Sequence, residues 1–93
     1  MFEQLKQNFL ASFESKIRHL EKALVEQDVQ ALSVSIHQLA GSSGSYGFDD
    51  VSQLCGDIET LVEDSLIGAN AQEKILQLIQ LMRSTAKENG ATH

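Results

Sequence analysis

The chain has 93 residues, which suits one compact domain and leaves little room for a second. It contains no proline or tryptophan and is rich in good helix formers, and its net charge of −6 argues against unaided binding to nucleic acid. No apolar run approaches the ~20 residues that cross a bilayer, and the amino-terminal segment lacks the basic-then-apolar order of a secretory signal. We therefore expect a helical, cytoplasmic protein without membrane contact that recognises another protein or a small ligand.

The first predicted helix is long and amphipathic. Its apolar residues are spaced three or four apart, the repeat of one helix face, and we expect the helix to run to about Gln27. These residues are Phe2, Leu5, Phe9, Phe13, Ile17, Leu20 and Leu24. Asp28 can cap a second helix, which we predict to weaken in the glycine- and serine-rich segment 41–47. The apolar stripe of that helix comprises Val29, Leu32, Ile36 and Leu39.

Two further helices complete the chain. Asp49 or Asp50 is expected to open the third helix, which ends near Gly68, and Asn70 can cap the fourth. The inward residues of the third helix are predicted to be Val51, Leu54, Cys55, Ile58, Leu61, Val62 and Leu66. Those of the fourth are Ile75, Leu78, Ile79 and Met82.

The four amphipathic helices, joined by short links, predict an all-α, antiparallel up-down four-helix bundle. We expect one domain over residues 1–89, a disordered tail at 90–93, and a monomer, because the bundle can bury its own apolar stripes.

The segment Leu-Ala-Gly-Ser-Ser-Gly-Ser-Tyr-Gly at 39–47 does not look like packing alone. A glycine within a helix costs roughly 1 kcal/mol relative to alanine, so some function should offset that penalty. Gly47 can end the helix through a left-handed conformation, but Gly41 lies only one turn beyond His37. At ~100° per residue, His37 lies roughly 120° from the centre of the apolar stripe. It should therefore face solvent within a patch of small residues that includes Ala40 and Gly44.

An exposed imidazole of this kind can act as a nucleophile. Unperturbed imidazole is largely neutral near pH 7, so one ring nitrogen has a lone pair that can attack an acyl phosphate. Nε2 is the expected nucleophile because it projects farther from the backbone. The other nitrogen then needs a hydrogen-bond acceptor to fix the ring, and Glu59 can supply it if the second and third helices are antiparallel.

These residues resemble a known family. His37, Leu39, Gly41, Ser42 and Gly47 are similar to the His-x-Leu-Lys-Gly-Ser signature, with its later glycine, of histidine-containing phosphotransfer domains. The likeness covers roughly four fifths of the chain, and the last helix matches only in being amphipathic. It implies a phosphoprotein of two-component signal transduction: a phosphorelay intermediate that accepts and donates a phosphoryl group on His37 and has no independent catalytic turnover.

The resemblance also assigns roles to the neighbouring residues. It implies that Gly41, with Ala40 and Gly44, forms the surface on which a receiver docks, and that Gly47 ends the motif helix. Glu59 stands where the family often has a polar side chain, commonly glutamine, hydrogen-bonded to the histidine. The implied partners are receiver domains of response regulators and a hybrid sensor histidine kinase. No bound cofactor is expected, and Mg²⁺ is expected only from the receiver.

Ala40 departs from the pattern, because the family usually has a lysine at this position. The cation expected beside the phosphoryl group is therefore missing, and we predict that Arg18 or Lys22 on the first helix, or the Mg²⁺ of the receiver, partly replaces it. The same departure favours a competing hypothesis, in which the bundle docks receiver or kinase domains without carrying phosphate.

Other functions find less support in the sequence. A metal site using His37, Glu59 and Cys55 would lack any paired ligand spacing such as Cys-x-x-Cys, so we expect no metal. A hydrolase would need a nucleophile, a base and an oxyanion site, which the chain does not display. His19 and His93 are interpreted as solvated surface residues, and Cys55 as a small core residue.

Overall fold

A computed structural model of the chain describes residues 2–62 and 67–88, and every regular element within these two stretches is an α-helix. The helices are α1 (Phe2–Ala11), α2 (Phe13–Glu26), α3 (Val29–Ser45), α4 (Asp49–Leu61) and α5 (Ala69–Glu88). Both α2 and α4 pack against α3 and α5, which places α3 and α5 diagonally across the bundle. The predicted all-α four-helix bundle is confirmed, with α1 and α2 together forming its first rod. None of the described helices is long and apolar enough to cross a membrane.

The first rod is interrupted at Ser12, where the sequence predicted one continuous helix. The Ser12 hydroxyl donates a hydrogen bond to the carbonyl oxygen of Phe9 at 2.6 Å, a contact that competes with regular helical bonding. Helical hydrogen bonding resumes at once, because the amide of Lys16 donates to the Ser12 carbonyl oxygen at 3.0 Å. The interruption is therefore local, and α2 continues in the direction that the bundle requires.

The connection between α2 and α3 consists of Gln27 and Asp28 only. Gln27 ends α2 in a left-handed conformation with φ of 54°, which is uncommon for a residue other than glycine. Asp28 caps α3 as predicted, since its carboxylate accepts a hydrogen bond from the amide of Ala31 at 3.1 Å. A link this short forces α3 to return antiparallel to α2.

Three predicted helix boundaries were wrong. α3 continues through Gly41 and Gly44 to Ser45 instead of weakening in this segment. α4 ends at Leu61, well before the predicted end near Gly68, and Leu66 lies outside the described residues. Asn70 lies in the first turn of α5, which begins at Ala69, so it does not precede the helix as a cap. The predicted tail at 90–93 also lies outside the described residues.

The core lies between the four rods and consists of the apolar stripes of all of them. Its buried apolar residues are Phe9, Leu10, Phe13, Ile17, Leu20, Ala23, Leu32, Ile36, Leu39, Val51, Cys55, Ile58, Ile67, Ala71, Ile75, Leu78, Ile79 and Met82. Leu5 and Leu61 were predicted to face inward but are 53% and 39% exposed, because they lie near helix ends where the stripe leaves the core. The burial of Ile36 and Leu39 fixes the rotation of α3 about its axis and thereby the direction in which His37 points.

An aromatic cluster closes one end of the bundle. The ring of Phe9 lies edge-on to Phe13, with centroids 5.0 Å apart, and stacks on Tyr46 at 4.9 Å and on Phe48 at 6.0 Å. Tyr46 and Phe48 belong to the three-residue turn between α3 and α4. The cluster therefore holds that turn against the first rod and fixes α3 relative to α4 at this end of the bundle.

Candidate functional site

His37 lies midway along α3, and 80% of its side-chain surface is exposed. Its neighbour Ile36 and the next stripe residue, Leu39, are both buried, so the helix is anchored directly beneath the imidazole. The ring therefore projects from a rigid helix into solvent, as the periodicity of the sequence indicated. Another macromolecule can reach it without any opening of the bundle.

Glu59 on α4 contacts the imidazole. The distance between His37 Nδ1 and Glu59 Oε2 is 3.1 Å, and the Glu59 side chain is 39% exposed. Because a carboxylate oxygen can only accept, the Nδ1–H donates this hydrogen bond. In the neutral ring the lone pair then lies on Nε2, the nitrogen that Glu59 does not contact. The sequence placed these two residues together on the assumption that α3 and α4 are antiparallel, and the structure brings them into contact.

The surface of α3 that follows His37 is formed by residues with small side chains or none. Gly41 is exposed, and a Cβ atom added to it would meet nothing within 4 Å. Nothing inside the protein therefore requires a glycine at this position. Ala40 is half-buried, and a Cβ atom on Gly44 would lie 3.4 Å from the Ser52 hydroxyl oxygen, an ordinary contact. A partner can thus approach the α3 backbone closely on this side of the imidazole.

Gly47 terminates α3 in a left-handed conformation with φ of 85°. Its amide donates to the carbonyl oxygen of Gly44 at 3.2 Å, and the amide of Phe48 donates to that of Ser43 at 2.8 Å. Together these two bonds form a Schellman motif, which satisfies carbonyl groups at the helix end. A residue with a side chain would be strained at Gly47, so this glycine serves the fold.

Ser52 was missed by the sequence analysis. Its hydroxyl donates a hydrogen bond to the carbonyl oxygen of Ala40 at 3.0 Å and so joins α4 to α3 one turn beyond His37. A signal was available, because Ser52 lies seven residues before Glu59 and hence on the same face of α4. Serine is common on helix surfaces, however, so spacing alone would not have singled it out.

A family model described as the Hpt domain matches residues 4–88. The chain belongs to the Hpt domain family. Comparison with curated proteins and with solved structures found no match. Hpt domains take part in histidine phosphotransfer within two-component phosphorelays, where they are phosphocarriers that interact with receiver domains and kinases. The histidine on the motif helix and the four-helix bundle around it agree with this membership.

The two candidate replacement cations in this Hpt domain, Arg18 and Lys22, make no described hydrogen bond or ion pair with the imidazole. Arg18 lines a groove shared with Met82 and Arg83 of α5, on the side of α2 that faces away from α3. Lys22 lines a groove between α2 and α3, and neither groove includes His37 or Glu59. The rotation of α2 about its axis turns Arg18 towards α5, whereas Lys22 faces α3 near Gln30 and Val34. Among the described residues, no hydrogen bond or ion pair joins either cation to His37.

Two observations on the described residues of this Hpt domain concern metal ligands and the thiol of Cys55. Within the described residues, no group of three or more histidine, cysteine, aspartate or glutamate side chains is arranged to hold an ion. Cys55 is fully buried, as predicted for a core residue. Burial, with a smaller contribution from the charge of Glu59, raises the pKa of the Cys55 thiol to about 12. The thiol is therefore protonated at neutral pH and a poor nucleophile.

Proposed function

We propose that this Hpt domain is a phosphorelay intermediate that receives a phosphoryl group on Nε2 of His37 from the aspartyl phosphate of one receiver domain and passes it to another. The observation that carries the proposal is the exposed imidazole whose Nδ1 lies 3.1 Å from Glu59. A ring that is both accessible and fixed in one tautomer presents its lone pair to an incoming acyl phosphate.

The transfer balances without an external acid or base. The Nε2 lone pair forms a bond to phosphorus while the bond from phosphorus to the aspartyl oxygen breaks, and the leaving carboxylate keeps that electron pair. No proton has to leave Nε2, because the proton of the ring is on Nδ1, where Glu59 accepts it. The ring becomes positively charged as the bond forms, and the nearby carboxylate stabilises that charge.

In this proposal the receiver supplies Mg²⁺ and most of the charge stabilisation for the phosphoryl group. α3 and α4 contain no lysine or arginine, so the two helices that form the site bring no cation of their own. The bundle acts as a carrier in the cytoplasm that positions a nucleophile, and it needs a receiver or a kinase to complete each step. The surface at Ala40, Gly41 and Gly44 forms the docking area around the imidazole.

A second hypothesis is favoured by one observation, the alanine at position 40. Without a cation beside His37, the bundle can be an interaction module that docks receiver or kinase domains and carries no phosphate. The two hypotheses differ in what His37 does after docking. Binding of a receiver that survives His37→Gln unchanged, with no phosphate ever found on the wild-type chain, would support the module.

A transfer assay separates the two. A panel of receiver domains, each labelled with radioactive phosphate and supplied with Mg²⁺, is mixed with the wild-type chain, with His37→Gln and with His19→Gln. His19 is a matched control, because it is also an exposed histidine but lies on α2. We expect an acid-labile label on the wild type and on His19→Gln and none on His37→Gln. Labelling of His37→Gln at the wild-type level would refute the proposal.

A further inference from the structure

Glu59, the residue that contacts Nδ1 of His37, has a carboxylate and not the amide of a glutamine. The two groups differ in their hydrogen bonding to the ring, and this difference bears on the phosphorylated histidine. Glu59 Oε2 lies 3.1 Å from Nδ1, and both side chains reach solvent. Once Nε2 carries a phosphoryl group, the ring can either keep its Nδ1 proton and a positive charge or lose the proton and become neutral. An amide could accept from the protonated ring or donate to the neutral one, whereas a carboxylate can only accept.

The two helices that form the site contain no lysine or arginine. α3 has no charged residue apart from His37, which is charged only when it is protonated, and α4 has four acidic residues. Glu59 is the ionisable group of α4 that contacts the ring, and the thiol of Cys55 on the same helix is buried and protonated. From α2, Lys16, His19 and Lys22 line two grooves against α3, and neither groove includes His37. Among the described residues, no lysine or arginine forms an ion pair or a hydrogen bond with His37 or Glu59, so the Glu59 carboxylate is the charged group in contact with Nδ1.

We infer that Glu59 makes His37 a rapid carrier and a poor store of phosphate, because it retains the Nδ1 proton on the phosphohistidine and so weakens the bond between Nε2 and phosphorus. This inference rests on the proposed function and specifies how long the phosphoryl group stays on the site. Glu59 acts through the imidazole and is a positioning residue, since it does not touch the transferred group.

The rate at which phosphohistidine loses its phosphoryl group depends on the charge of the imidazole that leaves. When the bond from Nε2 to phosphorus breaks, its electron pair returns to Nε2, and phosphorus bonds either to the aspartate oxygen of a receiver or to water. A ring that keeps the Nδ1 proton leaves as neutral imidazole, whereas a deprotonated ring would have to leave as an anion. The protonated phosphohistidine is therefore the reactive form, and Glu59 extends its existence to higher pH.

The test compares wild type with Glu59→Gln and with Asp57→Asn after chemical loading. Phosphoramidate transfers its phosphoryl group to histidine and releases ammonia, so loading needs no partner protein. Asp57 is a matched control, because it is an exposed acidic residue on the same helix without a contact to His37. The loss of phosphohistidine is followed by ³¹P NMR from pH 5 to pH 9.

We expect Glu59→Gln to lose phosphate about ten-fold more slowly than wild type at pH 8, with its rate profile displaced by about one pH unit to lower pH. Near pH 5 the ring is protonated in both proteins, and their rates should converge. Asp57→Asn should follow the wild-type profile. Superimposable profiles for wild type and Glu59→Gln would overturn the inference, as would an equal slowing in Asp57→Asn.

The experiments distinguish failure of the inference about Glu59 from failure of the phosphorelay proposal. If receivers load the wild type and the profiles coincide, the inference fails and the relay stands. If phosphoramidate loads His37 and no receiver does, the relay proposal fails while the rate comparison still decides the role of Glu59. Failure of phosphoramidate to load the wild type would count against both, because it would mean that Nε2 is not reachable.

Discussion

The hydroxyl of Ser52 donates a hydrogen bond to the main-chain carbonyl oxygen of Ala40 at 3.0 Å, and so joins α4 to the helix that carries His37. The bond lies one turn along α3 from the imidazole, and Ser52 shares a face of α4 with Glu59. It therefore helps to set the spacing across which Glu59 reaches Nδ1.

Ser52→Ala should lower the free energy of unfolding by about 1 kcal/mol, since it removes a partly buried hydrogen bond. Urea denaturation followed by circular dichroism would measure the change. Ser45→Ala is the control, because Ser45 is exposed at the end of α3 and makes no hydrogen bond through its side chain within the described residues. Equal stability of Ser52→Ala and the wild type would show that the bond contributes nothing.

Gly41→Ala should raise the free energy of unfolding by roughly 0.5–1 kcal/mol, because the new methyl group meets no atom and alanine favours the helix. Urea denaturation followed by circular dichroism would measure this change.

Gly41→Arg should fold with normal helicity yet impair loading from a phosphorylated receiver by about ten-fold or more, since the side chain blocks close approach to His37. Gln77→Arg on the exposed face of α5 is the control for the added charge and bulk. Undiminished transfer to Gly41→Arg would remove Gly41 from the docking surface.

Ser43 is fully buried in α3, and its hydroxyl has no hydrogen-bond partner among the described residues. Burial of an unpaired hydroxyl is unfavourable, and alanine has the higher helix propensity. We therefore expect Ser43→Ala to raise the free energy of unfolding by about 1 kcal/mol without altering transfer. A loss of stability in this variant would indicate that the hydroxyl is paired in solution.

Cys55 should make the protein sensitive to alkali. Its pKa is raised from 9.0 to about 12 in the folded state, so the folded state holds the proton more tightly. The resulting stabilisation is complete below about pH 9 and is lost as the pH rises towards 12, because only the unfolded thiol ionises in that range. Between pH 7 and pH 10 the free energy of unfolding should fall less in Cys55→Ala than in wild type. Equal falls in both proteins would contradict the raised pKa.

The sequence predicted those features that depend on helical periodicity and short links. The spacing of Leu32, Ile36 and Leu39 fixed which side of α3 is buried, and this determined the exposure of His37. The short link at Gln27 and Asp28 required antiparallel packing of α2 and α3. Such features follow from the repeat of 3.6 residues per turn and from the reach of the chain.

Features that depend on local hydrogen bonds or on rotation between helices were not predictable in this way. At the break, both the hydroxyl and the amide of Ser12 donate to the Phe9 carbonyl oxygen, a local arrangement that the apolar repeat does not encode. The positions of Arg18 and Lys22 depend on the rotation of α2 relative to α3, which turns Arg18 towards α5 and Lys22 towards α3, and periodicity alone does not give that rotation.

The most direct test of the account determines which ring nitrogen carries the phosphate after loading from a phosphorylated receiver. Phosphate on Nε2 shows scalar coupling from ³¹P to both ring protons of His37, whereas phosphate on Nδ1 couples to the Hε1 proton only. We predict coupling to both protons, because Glu59 occupies Nδ1 and leaves Nε2 free for attack. Coupling to Hε1 alone, or an acid-stable phosphate on another residue, would contradict the account.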